Sequence, residues 1–86
     1  MKVVEIDGSY GEGGGQIVRT ACSLAAVAQK PCHILNIRQA RRQPGLRPQH
    51  LASVHALAKL CGASLKGDEV DSREILFCPV KSSHVI

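Results

Sequence analysis

Five of the eight glycines in this 86-residue chain lie between Gly8 and Gly15. They sit in the stretch DGSYGEGGGQIVR, residues 7–19, which limits the fold more than any other. A short β-branched run (Val3, Val4, Ile6) precedes it and an Ala/Leu/Val-rich run, 17–28, follows. That order reads as strand, glycine loop, helix. Glycine tolerates positive φ and lets a ligand approach bare N–H groups. A helix starting near Gly15 or Gln16 adds free N–H groups and a partial positive charge. The arrangement suits an anion. The glycines by themselves equally suit a plain strand-to-helix turn.

Two common phosphate motifs are excluded. The Walker loop requires Gly-Lys-Ser/Thr at its end, and no lysine lies between Lys2 and Lys30. The dinucleotide fingerprint requires Gly-x-Gly-x-x-Gly, and counting from Gly11 or Gly13 ends on Gln16 or Val18. Two other residues favour a ligand. Glu12 is a carboxylate inside the loop, a hard oxygen donor suited to Mg²⁺ or Mn²⁺. Arg19 lies just over one turn into the helix, within reach of an anion at its start.

The net charge is +4, but its distribution says more. No acid occurs between Glu12 and Asp68, while Arg19, Lys30, Arg38, Arg41, Arg42, Arg47, Lys59 and Lys66 do. An acid-free basic middle fits a phosphate-rich partner, and the arginine fork suits phosphate oxygens. A merely solvated basic face is the alternative.

The remaining chain reads as a small α/β unit of order βαβαββ. Strands are expected at 2–7, 32–38, 63–66 and 75–79, and helices from 15 or 16 to 29 and over 48–61. Ile17, Ala21, Leu24, Ala25 and Ala28 form the apolar stripe of the first helix, and Leu51, Val54, Leu57, Ala58 and Cys61 that of the second. Pro48 suits a first helical position and Gly62 a left-handed cap. Two helices then cover one face of a four-stranded sheet. The opposite face is expected to be apolar and to need covering, by further repeats or by a second copy of the chain. Residues 1–80 make one repeat, with a tail at 81–86 of uncertain order. If the first two strands are parallel neighbours, the glycine loop and the arginine loop share one rim. Gln16, Gln49 and His50 lie at helix starts on that rim. His50 also suits a plain helix-terminal position, and His33, His55 and His84 carry no assigned role.

Cys22, Cys32, Cys61 and Cys78 contain no Cys-x-x-Cys pair and sit among apolar neighbours, so small core residues in a reducing cytoplasm are expected. No signal-peptide pattern and no membrane-spanning run is present.

Residues 7–19 closely resemble the N-terminal signature of RNA 3′-terminal phosphate cyclases. A second block, IRQARRQPGLRPQHL at 37–51, resembles the same family, and the two match in order. The resemblance implies stacked βαβαββ repeats like those of enolpyruvyl-transferring synthases and of a translation initiation factor's C-terminal part. It implies ATP and a divalent metal, Mg²⁺ or Mn²⁺, used to convert RNA 3′-phosphate ends to 2′,3′-cyclic phosphates. The implied route is adenylylation of an enzyme histidine, then of the RNA phosphate, then attack by the vicinal 2′-hydroxyl with loss of AMP. By position, Glu12 is then the metal contact. Gly13, Gly14, Gly15, Gln16 and Arg19 lie at the nucleotide phosphate. Arg38, Arg41, Arg42, Gln49 and His50 lie at the RNA phosphate. The family's nucleophilic histidine belongs to a region this chain does not contain, so no catalytic residue is assigned and the chain alone is expected to be inactive. A non-catalytic RNA- or nucleotide-binding module of the ribosome-biogenesis type, or a structural repeat that oligomerises, is the alternative.

Overall fold

The computed structural model describes residues 3–9 and 15–79. Its elements are β1 (Val4–Asp7), α1 (Gly15–Ala28), β2 (Cys32–Leu35), α2 (Pro48–Cys61), β3 (Ser64–Lys66) and β4 (Ile75–Cys78). The order βαβαββ is the expected one. The sheet runs β1-β2-β4-β3, with β1 and β2 parallel and the other pairs antiparallel. The tail 81–86 lies outside the described residues.

Both helices pack on one sheet face. Val18, Ala21, Cys22 and Ala25 of α1 and Leu51, Val54 and Ala58 of α2 share a core with Cys32, Ile34, Ile75 and Phe77. The buried stripe of α1 differs from the expected one. Val18 and Cys22 are buried, whereas Leu24 is 64% exposed and Ala28 is exposed. Leu24 and Ala28 suggest a stripe when only apolar residues are followed, but the polar Gln16, Arg19, Thr20 and Ser23 share one exposed side of the helix and leave Val18 and Cys22 for the core. The α2 stripe agrees at Leu51, Val54 and Ala58, with Leu57 and Cys61 half-buried.

The second strand ends at Leu35, three residues before its expected end. Asn36 and Arg38 take positive φ (54° and 51°), which turns the chain out of the sheet. Ile37 is nonetheless fully buried, as is Leu46, so the following loop has its own apolar anchors. Three bonds frame this loop against the acidic turn before β4. Ile37 N–H donates to Arg73 O at 2.9 Å, Leu46 N–H to Ser72 O at 2.8 Å, and Asp71 N–H to Leu46 O at 2.8 Å. Gly45 is required there: its φ is 88°, and a Cβ would collide with the Asp71 backbone. Arg47 closes the frame by pairing with Asp71 at 2.5 Å.

The opposite sheet face is not the apolar surface expected. Registration places Glu5, His33, Leu76 and Lys66 in one row across it. His33 Nε2 lies 2.7 Å from Glu74 Oε1, and Leu35, Leu76 and Cys78 are half-buried. Large apolar side chains stand in solvent on the helices instead: Leu24, Val27 (84%) and Leu60 (86%). Short strands with alternating polar residues conceal this division when only the apolar residues are counted.

Candidate functional site

Because β1 and β2 are parallel neighbours, their carboxyl ends lie at one edge of the sheet. The segments leading into α1 and α2 leave from that edge, so both helix N-termini face the same rim. Neither first turn holds an acidic residue, and the partial positive charge of a helix N-terminus suits an anion.

The start of the glycine loop is fixed by packing and by Asp7. Gly8 N–H extends the parallel ladder by donating to Leu35 O at 2.5 Å, and a Cβ at Gly8 would lie 2.8 Å from that oxygen. The backbones therefore approach too closely for any side chain there. Asp7 Oδ1 accepts from Ser9 Oγ at 2.6 Å, Ser9 N–H at 2.9 Å and Asn36 Nδ2 at 3.3 Å. These bonds, Ser9 first, hold the Asp7 carboxyl below the usual carboxylate range. Asp7 thereby fastens the glycine loop to the turn that begins the arginine loop.

Glu12, Gly13 and Gly14 lie outside the described residues; Gly15 opens α1. Gln16 and Arg19 stand on its exposed side, with Arg19 Nη2 donating to Gln16 Oε1 at 3.2 Å. Arg38 is half-buried. Its Nε is buried and, among the described residues, is the side-chain nitrogen left without a hydrogen-bond partner. Such a donor is costly unless a ligand or water accepts from it. Arg41 and Arg42 are exposed on the loop, and Gln49 is exposed in the first turn of α2. No ion pair among the described residues involves Arg41 or Arg42.

His50 joins these parts. Its Nδ1 accepts from Arg47 N–H at 3.1 Å. Its pKa is lowered, first by burial and then by the positive charges of Arg38, Arg19 and Arg47. Residues from α1, the arginine loop and the start of α2 therefore converge on one imidazole. The convergence of three guanidinium groups, two helix N-termini and an unpartnered buried donor makes a rim suited to phosphate oxygens.

Comparison with known proteins shows the family. The family model for RNA 3′-terminal phosphate cyclase matches residues 10–85. The chain belongs to the RNA 3′-terminal phosphate cyclase family. It is 56% identical over 77 residues to the RNA 3′-terminal phosphate cyclase of Pyrococcus furiosus, covering 90% of this chain and 22% of the relative. It is 55% identical over 82 residues to that of Thermococcus kodakarensis, covering 95% and 24%. A bacterial relative, from Nitrosospira multiformis, is 56% identical over 75 residues, covering 87% and 21%. The chain thus spans less than a quarter of the length of these cyclases.

Asp7, Ser9, Asn36 and Asp71 had no place in the sequence reading of the site. The Asp-Gly-Ser order carries a local signal, because an aspartate often binds the amide two residues on. Asn36 and Asp71 carry none, since their partners Asp7 and Arg47 are far away in sequence. No helix among the described residues is long and apolar enough to cross a membrane.

Proposed function

We propose that this chain supplies the phosphate-holding rim of an RNA 3′-terminal phosphate cyclase, as one βαβαββ repeat spanning residues 1–80. The reaction is the ATP-dependent conversion of an RNA 3′-phosphate to a 2′,3′-cyclic phosphate. Bound ATP supplies the adenylyl group that gives the terminal phosphate a leaving group. The chain's own part is to hold and orient. Gly13, Gly14, Gly15, Gln16 and Arg19 face the nucleotide phosphate at the α1 N-terminus. Arg38, Arg41, Arg42, Gln49 and His50 hold the RNA terminal phosphate. His50 donates through Nε2–H, because its Nδ1 is occupied by the Arg47 amide. The nucleophilic histidine belongs to a part of the protein outside this chain.

The observation that carries the reading is the buried, unpartnered Arg38 Nε, on a guanidinium whose charge lowers the His50 pKa. A divalent ion is assigned to Glu12, outside the described residues. The described residues contain no cluster of His, Cys, Asp or Glu able to hold one. The free thiols fit a reducing compartment, the cytoplasm.

Binding of a 3′-phosphorylated oligoribonucleotide, compared with its 3′-hydroxyl form across a salt series, tests this. The phosphorylated form should bind more tightly and its affinity should fall steeply with salt. Arg38→Lys keeps the charge but removes Nε, and should lose roughly tenfold or more in affinity. Equal binding of the two oligoribonucleotides, or a flat salt response, removes the assignment.

A further inference from the structure

Asp7 is the last residue of β1 and Asn36 the first beyond β2, so each stands where one loop of the rim begins. Glu12 follows five residues after Asp7, and Arg38 two residues after Asn36. A single carboxylate oxygen, Asp7 Oδ1, gathers donors from both loops. Ser9 binds it through Oγ at 2.6 Å and through N–H at 2.9 Å, and Asn36 Nδ2 binds it at 3.3 Å. Among the described residues, the Asn36 bond is the one side-chain hydrogen bond that joins the two loops.

The parts on either side of this bond are rigid. Asn36 and Arg38 both take positive φ and flank the fully buried Ile37. Ile37 N–H donates to Arg73 O at 2.9 Å, and Gln39 N–H to Asn36 O at 3.2 Å. Asn36 is therefore a handle on the turn that carries Arg38. Asparagine suits the position, since it tolerates the left-handed region better than most residues. Opposite it, the Asp7 carboxylate fixes Ser9 at the entry to the glycine loop. All three bonds are exposed, and an exposed hydrogen bond adds little to stability. Their value is geometric.

We propose that Asp7 is a positioning residue for the cyclase reaction, holding the glycine loop through Ser9 and the arginine loop through Asn36 at the spacing at which a nucleotide phosphate and an RNA 3′-phosphate meet.

The inference rests on the assignment of these two loops to the two phosphates under Proposed function. Moving an adenylyl group onto a terminal phosphate requires the two phosphates in contact. A misplacement of about 1 Å costs such a step on the order of 10²-fold. A link between the loops matters most for a ligand that occupies both at once.

The 86-residue chain is titrated with three ligands. They are AMP, a 3′-phosphorylated oligoribonucleotide, and diadenosine pyrophosphate, whose two joined phosphates bridge the loops. Wild type should bind the bridging ligand at least roughly tenfold more tightly than AMP. Asn36→Gly keeps the turn, because glycine takes positive φ freely, and removes only the link. It should leave the AMP and oligoribonucleotide affinities within about twofold and cut the bridging advantage roughly fivefold or more. Asp7→Ala should do the same, whereas Asp7→Asn should lose less, since its carbonyl oxygen still accepts two bonds.

NMR titration of His50 gives an independent readout. Burial, then Arg38 beyond one loop and Arg19 beyond the other, lower its pKa. Asn36 carries no charge, so a rise of that pKa toward 6.5 in Asn36→Gly reports that the loops have separated. An unchanged bridging advantage or an unmoved His50 pKa in Asn36→Gly overturns the proposal. Equal losses on all three ligands, with a lower thermal midpoint, make Asp7 merely structural and overturn it too. Wild type that binds both single ligands but gains nothing from the bridging one defeats this inference alone. Wild type that binds neither defeats the assignment of the rim, and this inference with it.

Discussion

The backbone N–H of Arg47 donates to Nδ1 of His50 at 3.1 Å. A nitrogen that accepts cannot carry the proton, so the neutral ring holds its hydrogen on Nε2. Protonation would break this bond and add a fourth positive charge beside Arg38, Arg19 and Arg47.

His50 is therefore expected to titrate below the ordinary 6.5, from burial first and the arginines second. The unfolded chain binds this proton more readily than the folded one. His50 thus costs no stability above pH 6.5, and stability falls as pH drops from there toward the lowered folded value. A bound phosphate offsets the arginines and raises the His50 pKa, so phosphate should bind with proton uptake. NMR titration of the His50 ring, with and without a phosphate ester, measures both. A midpoint at or above 6.5 in the free protein would remove the arginine cluster around the ring.

Gly45→Ala is expected to distort the frame of the arginine loop. The left-handed conformation alone costs a non-glycine residue about 1–2 kcal/mol, and the collision with the Asp71 backbone adds to it. For a domain of this size the thermal midpoint should fall by roughly 5–15 °C. Oligoribonucleotide binding should weaken even well below that midpoint. A thermal scan and a binding curve on one sample separate the two effects, and an unchanged midpoint refutes the frame.

No stable nucleotidyl transfer is expected on this chain. His33 and His55 are each engaged with a carboxylate, Glu74 at 2.7 Å and Asp68 at 2.9 Å. Nδ1 of His50 accepts the Arg47 amide. Incubation with ATP labelled in the α-phosphate and a divalent metal, followed by protein precipitation, should leave no covalent label. Label on any of these histidines would place the nucleophile in this chain.

Self-association should run through the helices rather than the sheet face. Leu24, Val27 and Leu60 are the strongly exposed apolar side chains of the helices. Replacing Val27 and Leu60 by Glu should change stability by no more than about 0.5 kcal/mol each. It should also shift a concentration-dependent sedimentation equilibrium toward monomer. Identical behaviour of wild type and double variant at micromolar concentration would exclude these side chains as the contact.

What was legible in the sequence was local. Pro48 and Gly62 mark the ends of α2, and Gly62 adopts φ 70° with its N–H bonded to Ala58 O. The strand β1 and the start of α1 at Gly15 followed from the order of apolar residues and glycines. The loop arginines stood out because no acid interrupts them. Relations between distant residues were not legible. The rotation of α1 is an exception, since its polar side, Gln16, Arg19, Thr20 and Ser23, marks the face opposite Val18 and Cys22. The early end of β2 depends on Asn36 and Arg38 taking a conformation that neither residue's identity requires. The polar row on the open sheet face depends on registration.

The bonds from Ile37, Leu46 and Asp71 across the arginine loop have a consequence in time. All three need residues 71–73, and β2 gains its second neighbour only when Cys32 meets Phe77. On a ribosome the chain emerges N-terminus first. Both helices and the parallel β1–β2 pair can leave the exit tunnel while the arginine loop still lacks the backbone that shapes it. A nascent chain that has emerged only as far as Gly62 would carry the arginines of the loop without its geometry. The segment with the least apparent chemistry, the acidic turn before β4, is thus the one whose arrival gives the arginine loop its shape.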